Sequence, residues 1–177
     1  MFKKLLVAVD EATTSKSLVA KAIALAEATE AQIMLLHVLD PEGGGGAIAP
    51  VYPGLAYPPL MAEQSVWEAY QAEYQAYEKR GLAMLHRFAD MARAEGLQTE
   101  FSQMPGSPGR EICQRARGWQ ADLIIVGSHG RTGLSELFLG SVSNYVMHHA
   151  PCSVMVIHRQ TLNPSTDAVE TLAAVER

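Results

Sequence analysis

The chain reads as an α/β protein built on a five-stranded, parallel, doubly wound sheet. Three observations predict that class. Short apolar runs alternate with segments of helical periodicity; three of the runs are apolar almost throughout; and glycines cluster directly after the fourth run. Near-continuous apolar strands suit a sheet buried on both faces. The alternating order of strands and helices favours parallel pairing with right-handed crossovers.

The strand candidates are KLLVAV (4–9), QIMLLHVL (32–39), LQTEFSQM (97–104), DLIIVG (122–127) and CSVMVIH (152–158). A first helix starts at Ser15 or Ser17 and runs to about Glu30, with Leu18, Ala22, Ile23 and Ala26 on its apolar face. A second, over about 64–95, carries Trp67, Tyr70, Tyr74 and Tyr77 on one face, a stripe that reads as a core or docking surface. The third covers roughly 107–119, where Ser107-Pro108 suits an N-cap followed by proline at the first helical position. A fourth follows Gly140 and stops near His149, before Ala150-Pro151.

Two segments depart from this scheme. Residues 41–62, PEGGGGAIAPVYPGLAYPPLMA, form a Gly/Pro-rich insert that reads as a long loop. The tail, 159–177, contains a capping-box-like Asp167-Ala-Val-Glu170 that can start a short helix. The expected organisation is therefore one domain over 1–158 with an insert at 41–62, then a tail.

Composition narrows the function. With 177 residues, 48% hydrophobic and 19% charged, the chain can bury a substantial core. Its net charge of −5 provides no electrostatic footprint for non-specific nucleic-acid binding. No apolar run approaches the roughly 18 residues of a membrane span, and the apolar run after the N-terminal lysines stops at Asp10, too short for a signal peptide. Cys113 and Cys152 form no CxxC or metal spacing, which fits a reducing, cytoplasmic setting. His148 and His149 are adjacent rather than four apart, and so do not suggest a helical metal pair; His37 lies within a strand and reads as packed.

The chemistry concentrates in residues 127–141, GSHGRTGLSELFLGS. In doubly wound sheets ligands sit beyond the carboxyl ends of the strands, where strand order reverses. That edge brings Asp10, the end of the second strand and the loop from Gly127 together. A helix starting near Ser141 leaves the N–H groups of Ser141, Val142 and Ser143 without intrahelical partners, a site for an anion. The hydroxyls of Ser141 and Ser143 can add hydrogen bonds, and Gly140 keeps the approach clear. The competing reading is a tight turn and a helix cap only. Neither GxGxxG nor the GK[ST] ending of a P-loop is present, and no lysine stands ready for phosphoryl transfer.

The spacing Gly127-x2-Gly130-x9-Gly140-Ser141 resembles the nucleotide signature of the universal stress protein family, ATP-binding class. Its flanks, ADLIIVGSHGRTG and GSVSNYVMHHAPCSVMVIH, extend the resemblance, as do KKLLVAVD and AQIMLLHVLD, so that it covers roughly 1–40 and 80–158. It implies a five-stranded Rossmann-like domain of the adenine nucleotide alpha hydrolase type, with ATP or AMP at the strand ends. By position, Asp10 would meet the ribose or adenine with Ala8 and Val9 beside it, and Val38 would offer its backbone to the adenine edge. Val126, Gly127, His129, Gly130 and Arg131 would follow the phosphates, and Gly140, Ser141, Val142 and Ser143 would take their far end. No direct metal ligand is implied; Mg²⁺ or Mn²⁺ would be held through the phosphates. The resemblance also implies a homodimer through the last strand, Ser153 to His158, with higher oligomers as an extension.

The expected function is thus a cytoplasmic, adenine-nucleotide-binding stress-response regulator acting on an unnamed signalling partner. One alternative is a slow metal-dependent ATPase or autophosphorylating protein using Ser141, Ser143 or His129. Another is an architectural dimer with an empty pocket. Neither nucleic acid nor membrane is expected as a partner.

Overall fold

A computed structural model of the protein describes residues 1–12, 14–40, 64–128 and 139–158. Five strands and four helices alternate along the chain: β1 (Lys4–Ala8), α1 (Ser15–Thr29), β2 (Gln32–Leu39), α2 (Gln64–Ala94), β3 (Thr99–Pro105), α3 (Pro108–Trp119), β4 (Leu123–Gly127), α4 (Ser141–His149) and β5 (Ser153–Ile157). The strands form one parallel sheet in the order β3-β2-β1-β4-β5. The chain winds outward from β1 through β2 to β3, then returns to β4 on the other side of β1. The switch in winding direction therefore falls between β1 and β4.

Both faces of the sheet are covered, which is why its strands read as continuous apolar runs. Leu5, Val7 and Val9 of the β1 segment join Ile33, Leu35, Leu123 and Ile125 in a core shared with α1 and the C-terminal half of α2. Leu6, Met34, Leu36, Val38, Ile124 and Val126 point the other way, against Ile112, Cys113 and Ala116 of α3 and Val146 of α4. Period-two alternation along each strand divides the apolar residues between these two layers. β3 lies at one edge and is less deeply buried, consistent with its more polar sequence.

Helix boundaries follow local chemistry. Ser107 caps α3 with an extended backbone and Pro108 occupies the first turn, as the sequence predicts. α1 and α3 end on Glu30 and Gln120 in the left-handed conformation (φ 53° and 58°), each donating its N–H back to the last turn. Among the described residues, no helix is long and apolar enough to cross a membrane. The 41–62 insert and the tail helix expected near Asp167 lie outside the described residues.

Candidate functional site

The carboxyl edge at the switch point is set by strand register. Ala8 pairs with Leu36 as the last rung of the β1–β2 register, with Asp10 and Val38 each two residues further on. Val7 pairs with Ile125 as the last rung of the β1–β4 register, with Asp10 and Ser128 each three residues further on. Val38 near the end of β2, and Asp10 and Ser128 just past the ends of β1 and β4, thus form a row along one edge of the sheet.

Each member of the row presents a different chemistry. The β1–β2 ladder ends where the Val9 N–H donates to the Leu36 carbonyl at 2.9 Å. Backbone groups alternate in direction along a strand, so the N–H and C=O of Val38 face the β1 side one rung beyond that last bond. They form a donor–acceptor pair at the sheet edge. Val38's side chain, in contrast, is buried in the layer under α3 and α4.

Asp10 begins the β1–α1 loop. Its Oδ1 accepts the Ser15 hydroxyl at 2.7 Å and the Ala12 N–H at 3.0 Å, while its own N–H donates to the Ser15 Oγ at 3.2 Å. One carboxylate oxygen therefore builds the turn that enters α1. Among the described residues Oδ2 has no such partner, and the residue is half-exposed. The turn role and a ligand role are compatible, since they use different oxygens.

The third member connects to the N-terminus of α4. The Gly140 N–H donates to the Ser128 carbonyl at 2.6 Å, which seats the start of α4 on the end of β4. The Asn144 N–H donates to the Gly140 carbonyl at 2.9 Å as the first helical bond. The N–H groups of Ser141, Val142 and Ser143 precede that bond, and no side chain caps them. They are the donors at which the sequence reading expects an anion.

The structure adds detail at the glycines and at Ser143. Gly140 has φ −61° and ψ 157°, an ordinary extended backbone, and Gly127 is likewise not among the positive-φ glycines. Missing side chains, rather than left-handed torsions, are what glycine contributes at these two positions. Ser143 is 1% exposed, and its hydroxyl lies 2.9 Å from the Gly140 carbonyl and 3.3 Å from the Ser128 carbonyl. That proton braces the junction, so the hydroxyl is committed to the fold. Ser141 is exposed. Ala8 and Gly127 are half-buried, Val9 and Val126 buried, at the strand ends around the row. His129, Gly130 and Arg131 lie outside the described residues.

Other candidates resolve structurally. His37 is buried beneath α2, its Nδ1 3.1 Å from Gln103 Oε1 and its ring edge-on to Tyr77. His149 stacks on Tyr145, ring centroids 4.1 Å apart. Among the described residues no three His, Cys, Asp or Glu side chains gather as a metal site. Of the α2 stripe, Tyr77 is buried whereas Trp67, Tyr70 and Tyr74 are half-buried. Cys113 and Cys152, unconnected in sequence, pack in one cluster. Burial pushes both thiols up, and Asp122 pushes Cys152 further, so they stay protonated and poorly nucleophilic. Sequence reasoning missed Glu11 and Arg80, whose side chains pair at 3.4 Å beside this edge. A contact between a loop and a distant helix leaves no local signal.

Comparison with known proteins agrees with this architecture. Residues 1–158 match the Universal stress protein family. The chain is 34% identical to universal stress protein Sll1388 of Synechocystis sp., covering 88% of this chain and 97% of that protein. Among solved structures, the hypothetical protein MJ0577 superimposes with a TM-score of 0.71 at 25% identity, over 91% of this chain and 99% of that one. A universal stress protein family protein from Arabidopsis thaliana, solved with AMP bound, shares the fold with a TM-score of 0.59 at 23% identity, over 94% of this chain and 98% of that one. With the match spanning every strand and helix described, the chain belongs to the universal stress protein family.

Proposed function

We propose that the protein binds an adenine nucleotide, ATP or AMP, across the Val38–Asp10–Ser128 row and acts as a dimeric stress-response regulator in the cytoplasm. The observation that carries this reading is the strand order and register. Together they bring a backbone donor–acceptor pair at the end of β2, a carboxylate just past β1 and an uncapped helix N-terminus seated past β4 to one edge of the sheet. The edge pattern of adenine matches the Val38 N–H and C=O. A ribose hydroxyl is a donor for Asp10 Oδ2, with Ala8 and Val9 beside it. Phosphates suit the Ser141, Val142 and Ser143 amides. Val126 and Gly127 line the path between, and His129, Gly130 and Arg131 extend it by their place in the signature. Mg²⁺ or Mn²⁺ would enter with the triphosphate. The AMP held by the Arabidopsis family member supports the choice of nucleotide class.

The binding unit is residues 1–158, and β5, an outer strand of the sheet, is the proposed contact with a second copy. Met155, 37% exposed on that strand, would be covered there. The test is to unfold the purified protein and identify released nucleotide by mass, with calorimetric titration of ATP and AMP in Mg²⁺ alongside. About one adenine nucleotide per chain, or saturable binding, is expected. No nucleotide and no heat would leave only the architectural reading.

A further inference from the structure

One helical turn of α2 touches the sequence neighbours of both residues placed at the two sides of the proposed adenosine pocket. On the Asp10 side, Arg80 Nε lies 3.4 Å from Oε1 of Glu11, the residue directly after Asp10. On the Val38 side, Tyr77 packs edge-on against His37, the residue directly before Val38, with ring centroids 5.8 Å apart. Gln103 Nε2 donates to the Glu78 carbonyl at 3.0 Å and its Oε1 meets His37, so the same turn is tied to β3 as well. Gly81 lets the helix sit this low. A Cβ there would fall 2.5 Å from His37 Nδ1 and would also collide with Gln103 Oε1. The Arg80 guanidinium also lies over the Tyr77 ring, 5.8 Å from its centroid, which links the two contacts within the turn.

We infer that the turn Tyr77–Gly81 is a positioning element that sets the separation of the β1–α1 loop from the end of β2, and with it the width of the adenosine pocket. This rests on the nucleotide reading above. Register fixes the strands, but Asp10 has already left β1, and its loop needs an external brace. Its internal bonds to Ala12 and Ser15 shape the turn without anchoring it to β2. Arg80 supplies that anchor from a helix whose own seat is His37. The ion pair is partly exposed, with Arg80 and Glu11 side chains 54% and 25% accessible. Such pairs add little to global stability, so this one is better read as holding geometry.

The experiment compares full-length wild type, Arg80→Gln, Arg80→Lys and Gly81→Ala by titration with adenosine, AMP and Mg²⁺-ATP, and by amide hydrogen exchange without ligand. Arg80→Gln should weaken all three ligands by a common factor, on the order of threefold to tenfold, with little change in Tm. Its Asp10 and Ala12 amides should exchange faster, and Arg80→Lys should recover most of both effects. Gly81→Ala should weaken the same three ligands by raising α2 off His37. Unchanged affinities in Arg80→Gln would overturn the inference. A loss confined to ATP would overturn it too, making Arg80 a phosphate contact. Should wild type bind none of the three, the nucleotide reading fails by itself; unchanged exchange at Asp10 and Ala12 in Arg80→Gln then overturns the positioning role separately.

Discussion

The N–H of Gly140 donates to the carbonyl of Ser128 at 2.6 Å, joining the start of α4 to the end of β4 across the glycine-rich segment between them. Ser143 reinforces this junction from one helical turn further on, its buried hydroxyl directed at both the Gly140 and Ser128 carbonyls. Replacing Ser143 with Ala removes that donor inside a closed environment and should cost about 1–2 kcal/mol. Urea denaturation measures this directly. A midpoint equal to wild type would mean that the hydroxyl contributes nothing to the junction.

Gly140→Val probes the anion site without straining the chain, because φ −61° and ψ 157° are open to any residue. The valine side chain would enter the approach to the Ser141–Ser143 amides. Nucleotide affinity should fall at least about tenfold, or 1.4 kcal/mol, with stability largely retained. Titration with ATP that returns the wild-type constant would place the phosphates elsewhere.

At Asp10, two substitutions separate structure from binding. Asn keeps an oxygen for the Ala12 N–H and the Ser15 hydroxyl, so Asp10→Asn should stay within about 0.5 kcal/mol of wild-type stability. Asp10→Ala breaks both bonds and should lose about 1–2 kcal/mol. Both should weaken adenosine binding, because the acceptor Oδ2 is lost in each. If Asn binds adenosine as tightly as Asp, the carboxylate serves the turn alone.

The two thiols predict a pH dependence. In the folded protein burial pushes Cys113 and Cys152 above the ordinary 9.0, so the native state holds their protons more tightly than the unfolded chain does. Their contribution is complete below 9.0 and declines as pH rises through that value toward the raised native ones. Between roughly pH 8 and roughly pH 10, wild type should lose more stability than a Cys113→Ala, Cys152→Ala double variant. Iodoacetamide should also label the native thiols far more slowly than the urea-unfolded ones. Equal rates in the two states would show that both thiols are freely accessible.

Elements of this fold are legible wherever the signal is local. Ser107-Pro108 marks the start of α3 and Ala150-Pro151 the end of α4, because capping and the proline ring act within a turn. The 3.6-residue spacing from Leu18 to Ala26 and the apolar runs of β1, β2 and β4 likewise report their own burial. Strand ends shift slightly: β3 begins at Thr99 rather than Leu97 and extends to Pro105, because pairing with Ile33 through Leu39 of β2 decides where its ladder starts and stops.

By itself, then, the sequence determined the parallel α/β class, nearly every helix boundary and the candidate edge, from the Gly127-x2-Gly130-x9-Gly140 spacing and its flanks. Only tertiary structure decided that Val38, Asp10 and Ser128 share one edge of the sheet, that Ser143 turns its hydroxyl inward, that Cys113 and Cys152 join one cluster, and that Arg80 reaches Glu11. The physical reason is range. Periodicity and capping are settled by residues a few positions apart, whereas register and side-chain direction depend on packing between elements far apart in the chain. Neither Glu11 nor Arg80 carries any mark of the other until the sheet and α2 bring them together.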